Sequence, residues 1–254
     1  MIGVRITGGI GDQLFQYATA RALSLRLGTE IACELSNLGD DPLYLNRFEV
    51  VTAQNNPTEV LKIVRESSDL FDPKFLSLPD GSFLEGKFQF EKYFADQADQ
   101  IRREIVLKDP ISQENSDWEN KIRASRMPIS IHIPRRDSDN IPLEYFYHCV
   151  EFLKSNFSNL TLFIFTNDIP FCIQNLRFST STYFIDSSQN PHEEIFLMSL
   201  CRHHVISDEN LSWWGAWLDG RESNLTFAPK KYLQGLSFEA SIDRIPDRWM
   251  TIDF

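Results

Sequence analysis

The chain has 254 residues, of which 42% are hydrophobic and 24% are charged, a composition that excludes a disordered chain, a collagen and a coiled coil. This length fits one large domain or two small ones, and it can bury a core without disulfide or metal support. Thirty-six acidic residues against 25 basic ones give a net charge of −11, so the chain repels phosphate backbones and nucleic-acid binding is not expected.

The chain opens with a predicted β–loop–α–β unit. Its parts are an apolar strand, a glycine loop, a helix that ends at a glycine, and a second strand. They cover residues 4–6, 8–11, 13–27 with Gly28 as the stop, and 30–33. The region from 37 to 125 shows turn signals and short helical patterns instead, with a further helix expected over 91–106. Met127 and Pro128 close that region, which places a domain boundary between residues 126 and 127.

From residue 129 onward, predicted strands and helices alternate regularly. Strands are expected at 129–133, 160–165, 182–185, 204–207 and 225–228, with helices at 143–155, 169–175, 192–201 and 211–218. This alternation predicts a parallel sheet with helices on both faces. Ligands of such sheets bind beyond the carboxyl ends of the strands, so the loops that follow residues 6, 133, 166 and 207 are candidate sites.

The glycine loop, GGIGDQ at 8–13, lies between a predicted strand and a predicted helix. Glycines let backbone amides approach a phosphate, and the dipole at a helix N-terminus favours an anion. The loop does not match the dinucleotide fingerprint GxGxxG, because the third glycine would fall at Leu14. Nucleotide binding and a tight turn that serves packing are both open for this loop.

The second loop joins a histidine to two arginines and an aspartate. His132, Arg135, Arg136 and Asp137 lie at or just beyond the carboxyl end of a buried strand. Arginine binds phosphate oxygens through two parallel hydrogen bonds, which favours an anion site. The alternative is a solvated basic pair that Asp137 neutralises.

Two later segments also carry polar groups. Asn167 and Asp168 follow the strand at 160–165, where they either meet a ligand or cap the next helix. Ser212 lies at the start of the segment LSWWGAW, at 211–217, and could also meet a ligand there. Trp213 and Trp217 share one face of that predicted helix, for which packing against the sheet is the default interpretation.

The cysteines give no sign of a metal site or a disulfide framework. There are four, Cys33, Cys149, Cys172 and Cys201, at wide separations and without a CxxC pair. The N-terminal residues lack the apolar segment of a signal peptide, and no run of about 18 apolar residues occurs. We therefore expect reduced thiols in a cytoplasmic protein without a transmembrane segment.

Six segments follow, in order, the motifs of a known family. They are GGIGDQLFQYA at 8–18, GKFQFEKYF at 86–94, HIPRRDS at 132–138, LFIFTND at 162–168, LMSLCRHHVISDENLSWWGAWL at 197–218 and APKKY at 228–232. On these motifs the chain resembles glycosyltransferase family 11, the α-1,2-fucosyltransferase family. The long segment at 197–218 is the most specific of the six.

The resemblance implies an α/β protein of GT-B-like fold, with two Rossmann-type halves and mostly parallel sheets. It implies an inverting hexosyltransferase, a galactoside 2-α-L-fucosyltransferase, that moves fucose from GDP-fucose to a β-galactoside of an oligosaccharide or glycolipid without a metal or other cofactor. The half at 1–126 is then expected on the acceptor side, and the half at 127–254 is expected to bind the GDP-sugar donor. The enzyme is expected in the bacterial cytoplasm, peripheral at the inner face of the membrane.

The resemblance also implies a set of site residues. The catalytic set is His132, Arg135, Arg136 and Asp137. The donor-binding set is Gly9, Gly11, Asp12, Gln13, Asn167, Asp168, Glu194, Asn210 and Ser212. Glu194 is expected to face guanine, whose N1–H and 2-amino group are two parallel donors that suit a carboxylate. Asp137 is the first candidate for the base, or for orienting His132, and Asp12 facing the acceptor is the alternative.

The chain departs from the family pattern at the expected donor site. Pro134 stands where the family has its first arginine, Asp12 replaces an asparagine, and Glu209 and Asn210 replace two serines. A one-residue slip of the alignment restores the arginine pair. Each misplaced carboxylate near a phosphate costs on the order of 1–3 kcal/mol. Three functions are therefore compared: an active fucosyltransferase, a family member with another donor or acceptor, and a weak glycan- or nucleotide-binding homologue.

Overall fold

The computed structural model describes residues 1–52, 62–134, 141–186, 190–230 and 243–253. These residues divide into two compact units. Unit 1 is Met1–Asp109 with residues 243–246, and unit 2 begins at Pro110 and includes residues 247–253. The division lies before the boundary expected between 126 and 127, because the helix at Gln113–Ala124 belongs to unit 2. Its N-cap residue, Ser112, donates a hydrogen bond to Glu193 of the same unit.

Unit 1 contains a four-stranded sheet. Its strands are β1 (Ile2–Arg5), β2 (Ile31–Glu34), β3 (Lys62–Arg65) and β4 (Ser82–Glu85). They pair in parallel in the order β2-β1-β4-β3. Helix α1, Ile10–Leu27, connects β1 to β2 and ends at Gly28, where a φ of 64° is tolerated because glycine has no Cβ. The β–loop–α–β start of the chain is therefore confirmed.

The middle region differs from its prediction in two ways. Strands β3 and β4 lie where short helical patterns were expected. The helix expected over 91–106 is wrong as a continuous element: two 3₁₀ turns, Glu91–Tyr93 and Ala95–Gln97, precede a shorter helix, α2, at Ala98–Glu104. The backbone leaves helical geometry at Phe94, with a φ of −138°, and this break lets both Tyr93 and Phe94 reach the core.

Unit 2 contains a six-stranded parallel sheet covered by helices. Its strands are β5 (Met127–His132), β6 (Leu160–Thr166), β7 (Ser181–Asp186), β8 (His203–Val205), β9 (Thr226–Pro229) and β10 (Met250–Ile252). Its helices are α3 (Gln113–Ala124), α4 (Leu143–Asn156), α5 (Ile169–Asn175), α6 (Pro191–Leu200) and α7 (Asn210–Trp217). The strand order β10-β9-β8-β5-β6-β7 is that of a Rossmann sheet. The alternation expected from residue 129 onward is confirmed.

The tryptophans of α7 belong to the core. Trp213 and Trp217 are buried and stack with ring centroids 6.0 Å apart, and Trp249 lies 5.4 Å from Trp213. Gly215 allows the close approach of α6, because a Cβ at this position would lie 2.7 Å from the Cβ of Met198. The sequence SWWGAW therefore packs two helices together, which confirms that these tryptophans serve the core, whereas their packing against the sheet stays a prediction.

Candidate active site

The switch point of the unit 2 sheet lies between β5 and β8. There the strand order reverses, and ligands of open α/β sheets bind outside the carboxyl ends of the two strands. β5 ends at His132, and β8 ends two residues before Ser207. Ile131 pairs with Val205, so the two strands end side by side. The loops after residues 133 and 207, both expected to carry chemistry, thus start at adjacent positions on this edge.

His132 is the centre of this edge. Its Nδ1 lies 2.8 Å from the hydroxyl of Ser207, and its Nε2 lies 3.6 Å from Glu194 Oε1 and 4.0 Å from Glu209 Oε2. His132 and Glu194 are only 3% and 5% exposed. Two residues that the sequence assigned to one site, 62 positions apart, are therefore neighbours in the fold. Their imidazole and carboxylate groups can orient a polar ligand at the switch point.

The turn between β8 and α7 is closed by serine hydroxyls. Ser207 N donates to Ser212 Oγ at 3.2 Å, and the Ser212 hydroxyl donates to the carbonyl of Glu209 at 3.1 Å. Glu209 N in turn donates to Ser207 Oγ at 3.2 Å. Ser212 is buried, and its hydroxyl holds the turn that precedes the start of α7 at Asn210. A direct contact of Ser212 or Asn210 with the donor stays a prediction.

A cavity of about 50 Å³ opens beside Glu194. It lies in unit 2, between the end of β7 and the N-terminal ends of α3 and α6. Its lining consists of Ser112, Glu114, Asn115, Ile185, Asp186, Asn190, Glu194 and Leu197. Carboxylate, amide and hydroxyl oxygens dominate this set, so the cavity suits a group that presents N–H donors.

The adjacent carboxylates Glu193 and Glu194 have different roles. Glu193 accepts hydrogen bonds from Ser112 N at 3.1 Å, from Ser112 Oγ at 2.7 Å and from Asn115 Nδ2 at 2.5 Å. Burial raises the pKa of Glu193, but the hydrogen bonds from Asn115 and Ser112 outweigh it and hold that pKa below its usual value. Glu193 thereby fixes the start of α3, which forms one wall of the cavity that Glu194 lines.

Asn167 and Asp168 lie at the carboxyl end of β6. Asp168 accepts a hydrogen bond from Phe171 N at 3.0 Å and is the N-cap of α5, which confirms the capping interpretation for this residue. Asn167 is exposed at the same edge. Contacts of either residue with a donor stay predictions.

In unit 1, the side chain of Gln13 holds the glycine loop. Gln13 Nε2 donates to the carbonyls of Gly8 and Pro42, both at 2.8 Å, and Gln13 Oε1 accepts from Tyr44 N at 2.8 Å. Gln13 is therefore buried and bonded to backbone groups of unit 1. Gly8 has a φ of 73°, whereas a Cβ added to Gly9 would meet nothing within 4 Å. The loop leaves open space at Gly9 and next to the start of α1.

Several predicted site residues are not covered by these observations. Arg135, Arg136 and Asp137 lie outside the described residues, so their contact with a phosphate stays a prediction.

Sequence analysis missed the role of Ser207 and did not assign one to Gln16 or Gln89. Gln16 donates to the carbonyl of Gly86, and Gln89 donates to the carboxylate of Asp12. Gln16 and Gln89 stand in the motifs at 8–18 and 86–94, and their position in those motifs was the available signal.

Two features of the described residues concern metal ligands and membrane-spanning helices. In the part of the chain that the structure describes, no three or more His, Cys, Asp or Glu residues are grouped as metal ligands. Over the same ranges, none of the helices combines the length and the apolar composition needed to cross a membrane.

The fold is similar to that of several solved glycosyltransferase structures. The fucosyltransferase NodZ from Bradyrhizobium matches with a TM-score of 0.52 at 13% identity, over 85% of this chain and 92% of that one. A glycosyl transferase of family 9 from Veillonella parvula matches with a TM-score of 0.55 at 10% identity, over 99% and 86%. The ADP-heptose LPS heptosyltransferase II of Escherichia coli matches with a TM-score of 0.53 at 13% identity, over 99% and 89%. The chain thus has the α/β GT-B-type fold, with two Rossmann-type halves.

Sequence comparison then gives the family. The chain belongs to glycosyl transferase family 11, whose sequence model matches residues 65–252. An α-1,2-colitosyltransferase of Escherichia coli is 27% identical over 291 aligned positions, which cover all of this chain and 99% of that protein. The O-antigen biosynthesis glycosyltransferase WbnK of Escherichia coli is 24% identical over 91% of this chain and 94% of that protein. The protein is therefore a glycosyltransferase.

Proposed function

We propose that this protein is an inverting galactoside 2-α-L-fucosyltransferase, which moves fucose from GDP-fucose to a β-galactoside of a surface oligosaccharide or glycolipid. The observation that carries the proposal is the position of His132, between Ser207 and Glu194 at the switch point of the unit 2 sheet. Nucleotides bind at this point of Rossmann-type sheets. The proposed enzyme acts in the bacterial cytoplasm, at the inner face of the membrane.

In this proposal the donor lies along the carboxyl edge of unit 2. The guanine would direct its N1–H and 2-amino donors at the carboxylate of Glu194, in the oxygen-lined cavity. The leaving GDP develops negative charge on its β-phosphate, and fixed donors aimed at that charge lower the barrier. His132 and the following Arg135 and Arg136 are the proposed donors. The reaction then needs no metal and no other cofactor, because the side chains carry the positive charge.

Glu209 makes the arginines more important. Its Oε2 lies 4.0 Å from His132 Nε2, so a second carboxylate faces the imidazole besides Glu194. A phosphate placed here experiences repulsion from both carboxylates. We therefore propose that Arg135 and Arg136 together, rather than His132 alone, supply the attraction that holds the pyrophosphate.

The experiment that tests the proposed function is calorimetric titration with GDP and with UDP, each repeated in EDTA. We expect binding of GDP but not of UDP, with no effect of EDTA. The double variant Arg135→Ala/Arg136→Ala should lose GDP binding. The control, Arg102→Ala/Arg103→Ala, removes the same charge from α2 of unit 1 and should bind GDP normally. Absence of GDP binding by the unaltered protein, or unchanged binding by the first double variant, would contradict the proposal.

A second donor is favoured by one observation, the α-1,2-colitosyltransferase that is similar over the whole chain. Colitose is fucose without its 3-hydroxyl group, so the two sugars have the same shape at every other position. A site that hydrogen-bonds the 3-hydroxyl rejects the sugar that lacks it by about 10⁴-fold or more, because its own polar groups stay unpaired. A site without that contact discriminates by only about 10–200-fold.

The two donors can be separated by their specificity constants. We expect kcat/KM for GDP-fucose to exceed that for GDP-colitose by at least about 10⁴-fold if the site contacts the 3-hydroxyl. A ratio in favour of GDP-colitose would replace fucose by colitose in the proposed function. The GDP titration would be unaffected in either case, since both donors carry the same nucleotide.

A further inference from the structure

The oxygen-lined cavity of unit 2 has one wall that a buried carboxylate supports. This wall is the start of α3, where Ser112 and Asn115 line the same cavity as Glu194 of α6. Glu193, the neighbour of Glu194 on α6, accepts hydrogen bonds from both Ser112 and Asn115. Consecutive residues of a helix project about 100° apart, so one carboxylate of this pair holds α3 while the other lines the cavity.

Glu193 fixes which way the side-chain amide of Asn115 is turned. Nδ2 of Asn115 donates to Oε2 of Glu193 at 2.5 Å. Burial raises the pKa of Glu193, but the hydrogen bonds that it accepts hold this pKa below its usual value, so the carboxylate is ionised at neutral pH. An ionised carboxylate has no hydrogen to donate, so the amide oxygen cannot take the place of Nδ2. The amide therefore turns Nδ2 to Glu193 and Oδ1 away from it.

This orientation makes Oδ1 of Asn115 available as an acceptor. Among the described residues no group donates to this oxygen, and the backbone N–H of Asn115 is bonded to the hydroxyl of Ser112 at 3.4 Å. Asn115 is partly exposed and lines the cavity. The cavity thus has acceptors on two helices, the carboxylate of Glu194 on α6 and the amide oxygen of Asn115 on α3.

Guanine carries one more hydrogen on this edge than a single carboxylate can accept. Its N1–H and one hydrogen of the 2-amino group are parallel and suit the two oxygens of a carboxylate, which is Glu194 in the proposed function. The second amino hydrogen diverges from these two and needs an acceptor of its own. Because a buried donor without a partner is costly, an acceptor on another wall of the cavity would favour guanine over bases that lack the amino group.

We propose that Asn115 is a specificity-determining residue of the donor site, whose Oδ1 accepts the second hydrogen of the guanine 2-amino group, and that Glu193 is the positioning residue that fixes this amide. The assignment rests on the proposed function, because it takes guanine as the base and Glu194 as its first partner. All three residues belong to unit 2. The arrangement selects purines with a 2-amino group. It rejects hypoxanthine, which lacks that group, and adenine, whose N1 is an acceptor that a carboxylate repels.

The first test compares GDP with inosine diphosphate, whose base is guanine without the 2-amino group. This group donates to a carboxylate and to an amide oxygen, so we expect the unaltered protein to bind GDP at least about 30-fold more tightly. In Asn115→Ala the affinity for GDP should fall about 3–10-fold, while the affinity for inosine diphosphate stays within about 2-fold. Titration calorimetry gives the ratio of the two dissociation constants.

The matched control is Asn120→Ala, the same substitution at an exposed position of α3 that does not line the cavity. Both affinities should be unchanged in this variant. Inosine diphosphate is itself a control within each variant, because a general loss of structure lowers its affinity together with that of GDP. A change in the ratio therefore reports the contact with the amino group.

The second test is Glu193→Gln, which keeps the size of the side chain but replaces one of its acceptors by a donor. The backbone N–H of Ser112 can only donate, so it takes the new amide oxygen and leaves the new NH₂ group opposite Asn115. Asn115 then turns Oδ1 to that NH₂ group and Nδ2 to the cavity, where it meets the amino group of guanine as a second donor. We expect the affinity for GDP to fall about 10-fold and that for inosine diphosphate to stay within about 3-fold.

The outcomes distinguish this inference from the function on which it rests. If the unaltered protein does not bind GDP, the proposed function fails and the inference falls with it. If GDP binds and Asn115→Ala keeps the normal preference over inosine diphosphate, only the role of Asn115 is wrong. An equal fall in both affinities in Asn115→Ala would assign Asn115 to the stability of α3 and overturn the inference as well. A preference that is unchanged in Glu193→Gln would remove the positioning role of Glu193.

Discussion

Two histidines on neighbouring strands of unit 2 have the same kinds of partner, a serine hydroxyl and a carboxylate, but differ in the distance to the carboxylate. His132 on β5 and His204 on β8 each place Nδ1 2.8 Å from a serine hydroxyl and Nε2 towards a carboxylate. For His204 the carboxylate is at 3.0 Å, a direct hydrogen bond, whereas for His132 the nearer one is at 3.6 Å. Both ring nitrogens of His204 are therefore within hydrogen-bond distance of their partners, whereas the distance from His132 Nε2 to Glu194 is longer than a hydrogen bond.

The surroundings of His204 explain the shorter distance. Its carboxylate partner, Asp219, also accepts from Arg221 Nε at 2.5 Å and from Asn224 Nδ2 at 3.0 Å. Asp219 follows the end of α7, so the network ties that helix to the middle of the sheet. Burial lowers the pKa of His204 despite the opposing effect of Asp219.

The comparison shows that a serine, a histidine and a carboxylate in line do not by themselves mark a catalytic site. His204 with Ser130 and Asp219 has the connectivity of a hydrolytic triad, yet His204 is the middle residue of β8 and does not lie at the end of a strand. His132 lies at the end of β5, at the edge where ligands of such sheets bind. Position along the strand, rather than residue type, separates the two histidines, and the proposal that His132 serves the donor site rests on this difference.

The largest expected effect on stability comes from breaking the hydrogen-bond network of Ser130, His204 and Asp219. Asp219→Ala leaves the buried His204 and the side chains of Arg221 and Asn224 without their acceptor, and a buried polar group left without its hydrogen-bond partner costs about 1–3 kcal/mol. Urea denaturation should show a fall of this size in the free energy of unfolding. The control, Asp253→Ala, removes a surface ion pair with Lys230 and should cost less than about 1 kcal/mol. Equal losses in the two variants would contradict the comparison.

A second prediction compares the replacement of each of the two histidines by glutamine. His132→Gln should weaken GDP binding about 10–100-fold, or about 1.4–2.7 kcal/mol, with a smaller loss of stability. His204→Gln should do the reverse, lowering the melting temperature while the folded fraction binds GDP normally. Titration calorimetry and thermal denaturation of both variants check the pair. A loss of GDP affinity in both variants would mean that the network around His204 also serves the donor site.

A third prediction concerns the pH dependence of stability that arises from His203, on β8. Burial lowers the pKa of His203 to about 4, so the folded protein keeps this imidazole neutral. The stabilisation is complete above the unfolded value of about 6.5 and is lost as pH falls towards 4, at about 1.4 kcal/mol per pH unit for one proton. Melting temperatures between pH 7 and pH 4.5 should fall steadily, and less steeply in His203→Gln. A flat profile would rule out this coupling.

The smallest expected effect separates the two serines. Ser130→Ala removes one hydrogen bond to His204 and should cost about 0.5–1.5 kcal/mol of stability. Ser207→Ala removes the hydroxyl that contacts His132 Nδ1 and the hydroxyl of Ser212. It should therefore also weaken GDP binding. Denaturation and calorimetry of these alanine variants give the answer. Identical behaviour in both assays would argue that the serines have no separate roles.

The sequence predicted unit 2 better than unit 1, and the reason is physical. The strand at 160–165 is a nearly continuous apolar run and the strand at 129–133 carries three isoleucines, because both faces of a central parallel strand are buried. Strands β3 and β4 each have four residues, and both end in a charged side chain, Arg65 and Glu85. Such short, charge-ended segments give no periodic signal, so these strands could not be recognised from the pattern.

The same distinction applies to the site. His132 and Glu194 could be assigned because they stand in or beside motifs that follow a family pattern. The role of Gln13 could not, because its partners, Pro42 and Tyr44, lie about 30 positions away and are backbone groups. Glu193 was missed for the same reason, since its partners precede it by about 80 positions.

The path of the C-terminal residues limits how this protein can be divided. Residues 243–246 belong to unit 1, and the chain then returns to unit 2 to add the edge strand β10 beside β9. Neither unit is a continuous stretch of chain, so a cut near residue 109 yields two fragments that are each incomplete. A fragment that stops before residue 250 exposes the edge of β9, an open template for pairing with other chains. Chimaeras that exchange donor specificity with relatives should therefore carry residues 247–253 together with the rest of unit 2.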